Sequence, residues 1–227
     1  VRAERDASRL VRQFLHRTEW PEGEAVLSVA WLQTDLSPST QLWIPPLGFG
    51  EPRLDGIYEQ ILEGEEKVFV GSRPSTLPGA VNQRLTEHAL MVGTALQELG
   101  YVGRCSFDHL VTGDPNGEFQ VVFTECNGRW GGTSTPMSLI DRLVEGQRPP
   151  YRAQDVVCPQ LIGARLPDLL ELLGELVFHT ETGQGRFILY NVGPLNQHGK
   201  LDVISLGVDQ DDAERGLLEI LPQRLGL

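Results

Sequence analysis

The stretch "FTECNGRWGGTSTP", residues 123–136, places Glu125, Asn127 and Arg129 at alternate positions and follows them with two glycines. Alternate side chains of an extended strand share one face. An acid, an amide and a guanidinium therefore stand side by side where the strand runs out into a flexible turn. Upstream, "DPNG" (114–117) has Asp, Pro and Gly at the first, second and fourth places of a type I turn, which makes 105–112 and 118–127 a hairpin. If Asp114 opposes Gly117, Asp108 falls opposite Phe123 and becomes the diagonal neighbour of Glu125 on the same face, with Asn127 next along. Diagonal neighbours lie about 7–8 Å apart at Cα, and a magnesium–oxygen bond is about 2.0–2.1 Å. Two carboxylates so placed can converge on one ion or bracket two.

Without a cation the two acids repel, and at least one has its pKa raised. Asn127 adds a neutral oxygen, and none of the three offers sulfur or imidazole, so Asp108, Glu125 and Asn127 suit Mg²⁺ or Mn²⁺. Arg129 supplies a fork for a phosphate oxygen, and Gly131 and Gly132 let backbone N–H groups approach an anion closely. The set reads as a metal–phosphate site. The alternative is an acidic strand face in solvent, closed by a Gly-Gly turn.

Around this hairpin the chain alternates helical and extended patterns. "ASRLVRQFLHR" (7–17) is a short amphipathic helix, and "AVLSVAWL" (25–32) and "STQLWIPP" (39–46) read as strands, with a hairpin between them. From Val81 to Leu99, apolar residues recur at helical spacing between Pro78 and Gly100, the expected start and stop. His88 lies on its polar face. A further helix starts near Pro136, where Thr133 and Ser134 are placed to cap it, with hydrogen bonding to a carboxylate substrate as the alternative. "EGQRPPYRAQD" (145–155) is a candidate linker. Beyond it, "ARLPDLLELLGELVF", "GRFILYNVG", "GKLDVISLGV" and "DDAERGLLEILPQRL" read as helix, strand, strand and helix. The division is thus 1–145, carrying the acid cluster, and 151–227, a small appended α/β domain.

Whole-chain properties narrow the classes. At 227 residues a real core can form, and the net charge of −12 argues against broad nucleic-acid or anionic-membrane binding. No apolar run approaches the roughly 20 residues of a membrane span. The three cysteines, Cys105, Cys126 and Cys158, show no C-x-x-C pair and fit reduced thiols in the cytoplasm. Cys126 alternates with the acid cluster and reads as a small core residue. His109 faces away from Asp108. Trp31, Trp43 and Trp130 read as packing residues, Trp130 with the option of walling a pocket beside Arg129. The chain opens on Val1 within what looks like an internal element, so a fragment of a longer protein is expected.

"GYVGRCSFDHLV" followed by "FTECNGRWGG" resembles the strand pair of ATP-grasp enzymes, in which a G-Y-x-G segment leads to an acid and then to E-x-N-x-R. "YEQILEG", "GSRPSTLP" and the helix ending at Gly100 follow the order of that superfamily, so the likeness covers about residues 25–140. It implies an α+β fold, the C-terminal half of an ATP-grasp domain with a mostly antiparallel sheet and flanking helices. It also implies ATP as cofactor, with Mg²⁺ on its phosphates held by Asp108, Glu125 and Asn127, and Arg129 on phosphate or acyl phosphate. Gln60 and Arg73 are candidates for the phosphate or acceptor side. "RWGGTSTPMS" and the appended unit look most like pheganomycin-type peptide ligases. The implied reaction joins a small-molecule or peptide carboxylate to an amine through an acyl phosphate, with no nucleic acid or membrane as partner.

Two departures define the rival readings. Lys67 and Lys200 are the only lysines, neither ahead of the adenine-hinge strand, and that strand reads Ser28, Val29 and Ala30 where the family commonly has an acid. The resemblance implies a nucleotide clamped between two α+β subdomains, the earlier of which supplies phosphate-binding lysines, and a missing N-terminal half or a homo-oligomer would complete that clamp. A non-catalytic relic or partner subunit is one alternative, and a bicarbonate-activating carboxylase-type protein the other.

Overall fold

A computed structural model of the chain describes residues 2–21, 23–25 and 32–226, with side chains from residue 7 onward. Two compact units are present, 1–32 and 33–227. The first holds helix α1 (Arg2–Arg17), the amphipathic segment expected there, with the Phe14 and Trp20 ring centroids 6.0 Å apart. The strand expected over 25–32, its hairpin and Trp31 fall on residues 26–31, outside those described.

The second unit is built on one sheet. Its strands are β1 (Pro38–Ile44), β2 (Arg53–Glu63), β3 (Val68–Pro74), β4 (Gly103–Gly113), β5 (Phe119–Asn127), β6 (Tyr151–Val157), β7 (Phe187–Tyr190) and β8 (Lys200–Leu206). They run in the order β5-β4-β1-β2-β3-β6-β8-β7, every neighbouring pair antiparallel. The helices are α2 (Gly79–Glu98), α3 (Ser134–Leu143), α4 (Leu166–Leu173), α5 (Leu195–His198), α6 (Gln210–Arg215) and α7 (Leu221–Leu225). The α+β class with an antiparallel sheet, expected from the sequence, is the one adopted. The segment 145–155, expected as a linker, is strand from Tyr151 onward, and the elements of 151–227 extend the sheet that β1–β5 begin.

Strand parity divides the sheet's two faces. Thr40, Leu42 and Ile44 of β1 and Cys105, Phe107 and Val111 of β4 are buried on the face covered by α2. That helix forms because Val81, Leu85 and Ala89 recur at four-residue spacing, each fully buried, between Pro78 and Gly100 at φ +90°. Leu85→Ala would cost about 2–5 kcal/mol by opening a cavity there. Leu99, the last residue of the apolar pattern, instead projects into solvent, 83% exposed. The same face continues under β6–β8, where Leu201, Val203 and Phe187 pack against α4 and α7. The opposite face carries α3, with Met137 and Ile140 against Tyr58, Tyr151 and Ile204. Beside α3, this second face is polar.

Candidate functional site

The β4–β5 hairpin sets the site, and its register differs from the simple turn count. Asp114 N–H donates to Glu118 O (2.8 Å), Gly117 N–H donates to Asp114 O (2.9 Å), and Gly113 sits at φ +86°. An added Cβ at Gly113 would lie 2.4 Å from Glu118 O, so only glycine fits. His109 therefore pairs with Phe123, and a bulge at the next step places Asp108 opposite Glu125 and Ser106 opposite Asn127. The sequence expectation of a diagonal Asp108–Glu125 pair is corrected: the carboxylates face each other directly. Directly opposed Cβ atoms lie about 4.5–5.5 Å apart, closer than any diagonal pair.

Around the pair stands a polar network on β1, β2 and the loop after β5. Asn127 Nδ2 donates to Asp108 Oδ2 at 3.3 Å. Ser39, the register partner of Asp108, and Gln60 of β2 stand beside its carboxyl and stabilise its ionised form. Gln41 donates to Ser39 Oγ (3.3 Å) and accepts from Ser134 Oγ (2.8 Å), and Ser134 Oγ accepts from Gly131 N–H (3.2 Å). A hydrogen-bonded relay thus joins Ser39, beside Asp108, to the start of α3. Burial raises the Asp108 carboxyl above the usual carboxylate range; Glu125 adds to this, while Ser39, Gln60 and the Arg129 charge oppose it. Asp108, Glu125, Asn127 and Arg129 line one cavity of about 260 Å³ with Gln60 and Thr133.

The remaining expected site residues separate. Gly131 and Gly132 line this cavity, but the Gly131 N–H is taken by Ser134. At Gly132 a Cβ would meet the Phe69 ring at 2.6 Å, so glycine lets the loop pass close over β3. Arg73 is on the opposite face, held by Glu59 (3.0 Å) and Glu214 (2.6 Å), a structural ion cluster away from the acids. Thr133 is the first cap residue of α3 but makes no side-chain cap bond, and Ser134 serves the relay instead of capping. Cys126 is exposed, not core, and burial together with Glu125 and Asp108 pushes its thiol up, which disfavours a thiolate. Trp130 is 56% exposed and lies against Arg104, 5.0 Å from ring centroid to guanidinium carbon.

The sequence reading, which took Ser134 for a cap residue, missed Ser39 and Gln41. Their signal was present in "PSTQLWI", where Ser39 and Gln41 alternate with Thr40 and Leu42 as Glu125 and Asn127 alternate on β5. His109 faces away from Asp108, as expected, and is fully buried against His88 and Phe123.

Among the described residues no group of three or more His, Cys, Asp or Glu could hold a metal by itself. Magnesium does not require one, since it is commonly held by one or two carboxylates plus substrate phosphates. Asp108 and Glu125, with the oxygen of Asn127, fit that donor set.

No family profile and no curated protein matches the chain. Solved structures do. An N5-carboxyaminoimidazole ribonucleotide synthetase in complex with ADP matches at TM-score 0.57 and 14% identity, over 86% of this chain and 50% of that one. The N5-carboxyaminoimidazole synthase of Aspergillus clavatus, with ADP and 5-aminoimidazole ribonucleotide, matches at TM-score 0.57 and 11% identity, over 87% and 53%. The fold is that of the ATP-grasp superfamily. A biotin carboxylase from Campylobacter jejuni extends the ATP-grasp likeness at TM-score 0.50 and 13% identity, over 81% and 44%. The chain spans about half the length of these ATP-grasp proteins. Among its described residues no helix is long and apolar enough to cross a membrane.

Proposed function

We propose that the chain is the metal–phosphate half of an ATP-dependent carboxylate–amine ligase working through an acyl phosphate. The observation that carries this is the Asp108–Glu125 register pair, sharing a cavity with Asn127 and Arg129 on an ATP-grasp fold. Solved neighbours hold ADP in their complexes, which supports nucleotide in this cavity. Asp108, Glu125 and Asn127 would hold Mg²⁺, which when bound neutralises the phosphate charge that otherwise repels an attacking carboxylate. Arg129, exposed and reaching from the end of β5, can follow the transferring phosphoryl group by its guanidinium fork. Ser39 and Gln60 fix the Asp108 carboxyl, and the Gln41–Ser134 link ties it to the loop that carries Arg129. Phosphoryl transfer relies on such positioning and needs no protein nucleophile.

Lys67 is bonded to Asp35 and Lys200 to Asp155, so neither supplies the clamp lysine. The rest of the clamp is proposed to come from further sequence or a second subunit. Within this reading, a pheganomycin-type peptide ligase is the substrate class proposed. The names of the neighbours, a carboxyaminoimidazole ribonucleotide synthetase and a biotin carboxylase, favour one second reading, activation of bicarbonate. ADP release with amino acids or bicarbonate as the added substrate decides between them. Stimulation by amino acids alone supports the ligase, and stimulation by bicarbonate alone refutes it.

A further inference from the structure

A second cavity, about 570 Å³, adjoins the first on the same sheet face, and Arg129, Gly131 and Gly132 line both. Its far side carries Asp155 and Asp202, register partners across β6 and β8, with Tyr190 and Asn191 beside them. Lys200 Nζ binds Asp155 Oδ2 at 2.7 Å, and Asn191 Nδ2 donates to Asp202 Oδ2 at 3.0 Å. Asp202 is only 8% exposed, yet its Oδ1 has no hydrogen-bond partner among the described residues. Buried polar atoms are almost always satisfied, so an orphaned, almost fully buried carboxylate oxygen on a residue that lines the cavity marks a missing donor. A carboxylate only accepts, and two carboxylates against one lysine leave this end one positive charge short of neutral. Burial raises the Asp202 carboxyl and Asp155 beside it raises it further, so without a cation the pair favours holding a proton. Lys200 in the same cluster disfavours a divalent ion.

We propose that this cavity takes the amine co-substrate and that Asp202, with Asp155, binds its ammonium group. The inference rests on the ligase reading above. It places the amine on the sheet face that carries the phosphate site, with Arg129 between the two.

The test is saturation-transfer NMR on the full chain with the amino-acid amides and their N-acetyl counterparts, which keep the side chain and lose the α-ammonium. The expected result is at least one amide whose signal falls at least fivefold on acetylation and is lost in Asp202→Asn, while that variant binds the Mg²⁺ complex of a non-hydrolysable ATP analogue as the wild type does. Lys200→Met, which removes the competing cation, is expected to tighten amide binding about twofold and reports independently if Asp202→Asn fails to fold. Amides that bind equally well when acetylated or in Asp202→Asn overturn the inference. So does nucleotide binding with no amide binding at all. Ammonium-dependent amide binding in a chain that binds no nucleotide supports the cation-binding pocket and sinks the ligase reading instead.

Discussion

Two pairs of carboxylates face each other across antiparallel strands on one side of the sheet, Asp108–Glu125 on β4–β5 and Asp155–Asp202 on β6–β8. Both are direct register partners, though a bulge adjoins the first pair only, and the surroundings differ. At the first pair Glu125 is exposed, and Asp108 is wired to uncharged donors, Ser39, Gln60 and Asn127. At the second, Asp202 is sealed and Asp155 already holds a lysine. An open pair with neutral partners keeps its oxygens for a hard, partly hydrated ion with phosphate attached. The second pair, buried at Asp202 and half neutralised at a part-exposed Asp155, suits a single positive charge on the reading proposed above.

The largest expected effect separates the two ends by acid. His109 lies behind Asp108 on β4 and is held neutral, burial and His88 pushing its imidazole down to about 4. Its folded pKa is below the unfolded one, so between about pH 6.5 and 4 the unfolded state binds more protons and stability falls as pH drops, by up to about 3 kcal/mol. His109→Leu should flatten the melting temperature over that window. An unchanged slope would mean that the imidazole is not held neutral.

The raised carboxyls act in the opposite sense. Asp108 and Asp202 both have folded pKa values above their unfolded ones, so the ionised fold is penalised at neutral pH and the penalty is relieved as pH falls toward about 4. In chelator and without ligand, Asp108→Asn and Asp202→Asn should each melt above the wild type at neutral pH, with the gap closing toward pH 4. A gap that persists below pH 4 would point to packing and not charge.

Cutting the relay is expected to weaken the first pair alone. Gln41→Leu removes the buried link between Ser39 and Ser134, worth about 1 kcal/mol. Nucleotide affinity should drop about fivefold while amide binding holds; equal loss of both would make the change a general loosening of the sheet. Smallest is Lys200→Met, whose partner pair is partly exposed. It should cost under about 1 kcal/mol of stability, read by denaturant unfolding, and a larger loss would show that Asp155 cannot stand unpaired.

Much of this was legible in the chain. Alternation marked Glu125, Asn127 and Arg129, "DPNG" marked the hairpin, and the four-residue spacing of Val81, Leu85 and Ala89 marked α2. The register was not, because the bulge beside Asp108 depends on how β4 and β5 twist together and not on turn residues. Arg73 was misplaced because its side is set by pairing with Glu59, which only the sheet order reveals. The strand from Tyr151 was hidden by the two prolines just before it, and with it the partnership of Asp155 and Asp202, distant in sequence and adjacent only through β6–β8 pairing.

The central claim is that Asp108, Glu125 and Asn127 form a metal-dependent nucleotide site. Calorimetric titration of the chain with a non-hydrolysable ATP analogue, with and without Mg²⁺ and in wild type and Glu125→Ala, tests it most directly. The account predicts binding that requires Mg²⁺ and weakens at least tenfold in the variant, about 1.4 kcal/mol. Binding that ignores both the metal and the substitution, or no binding by the wild type, would contradict it.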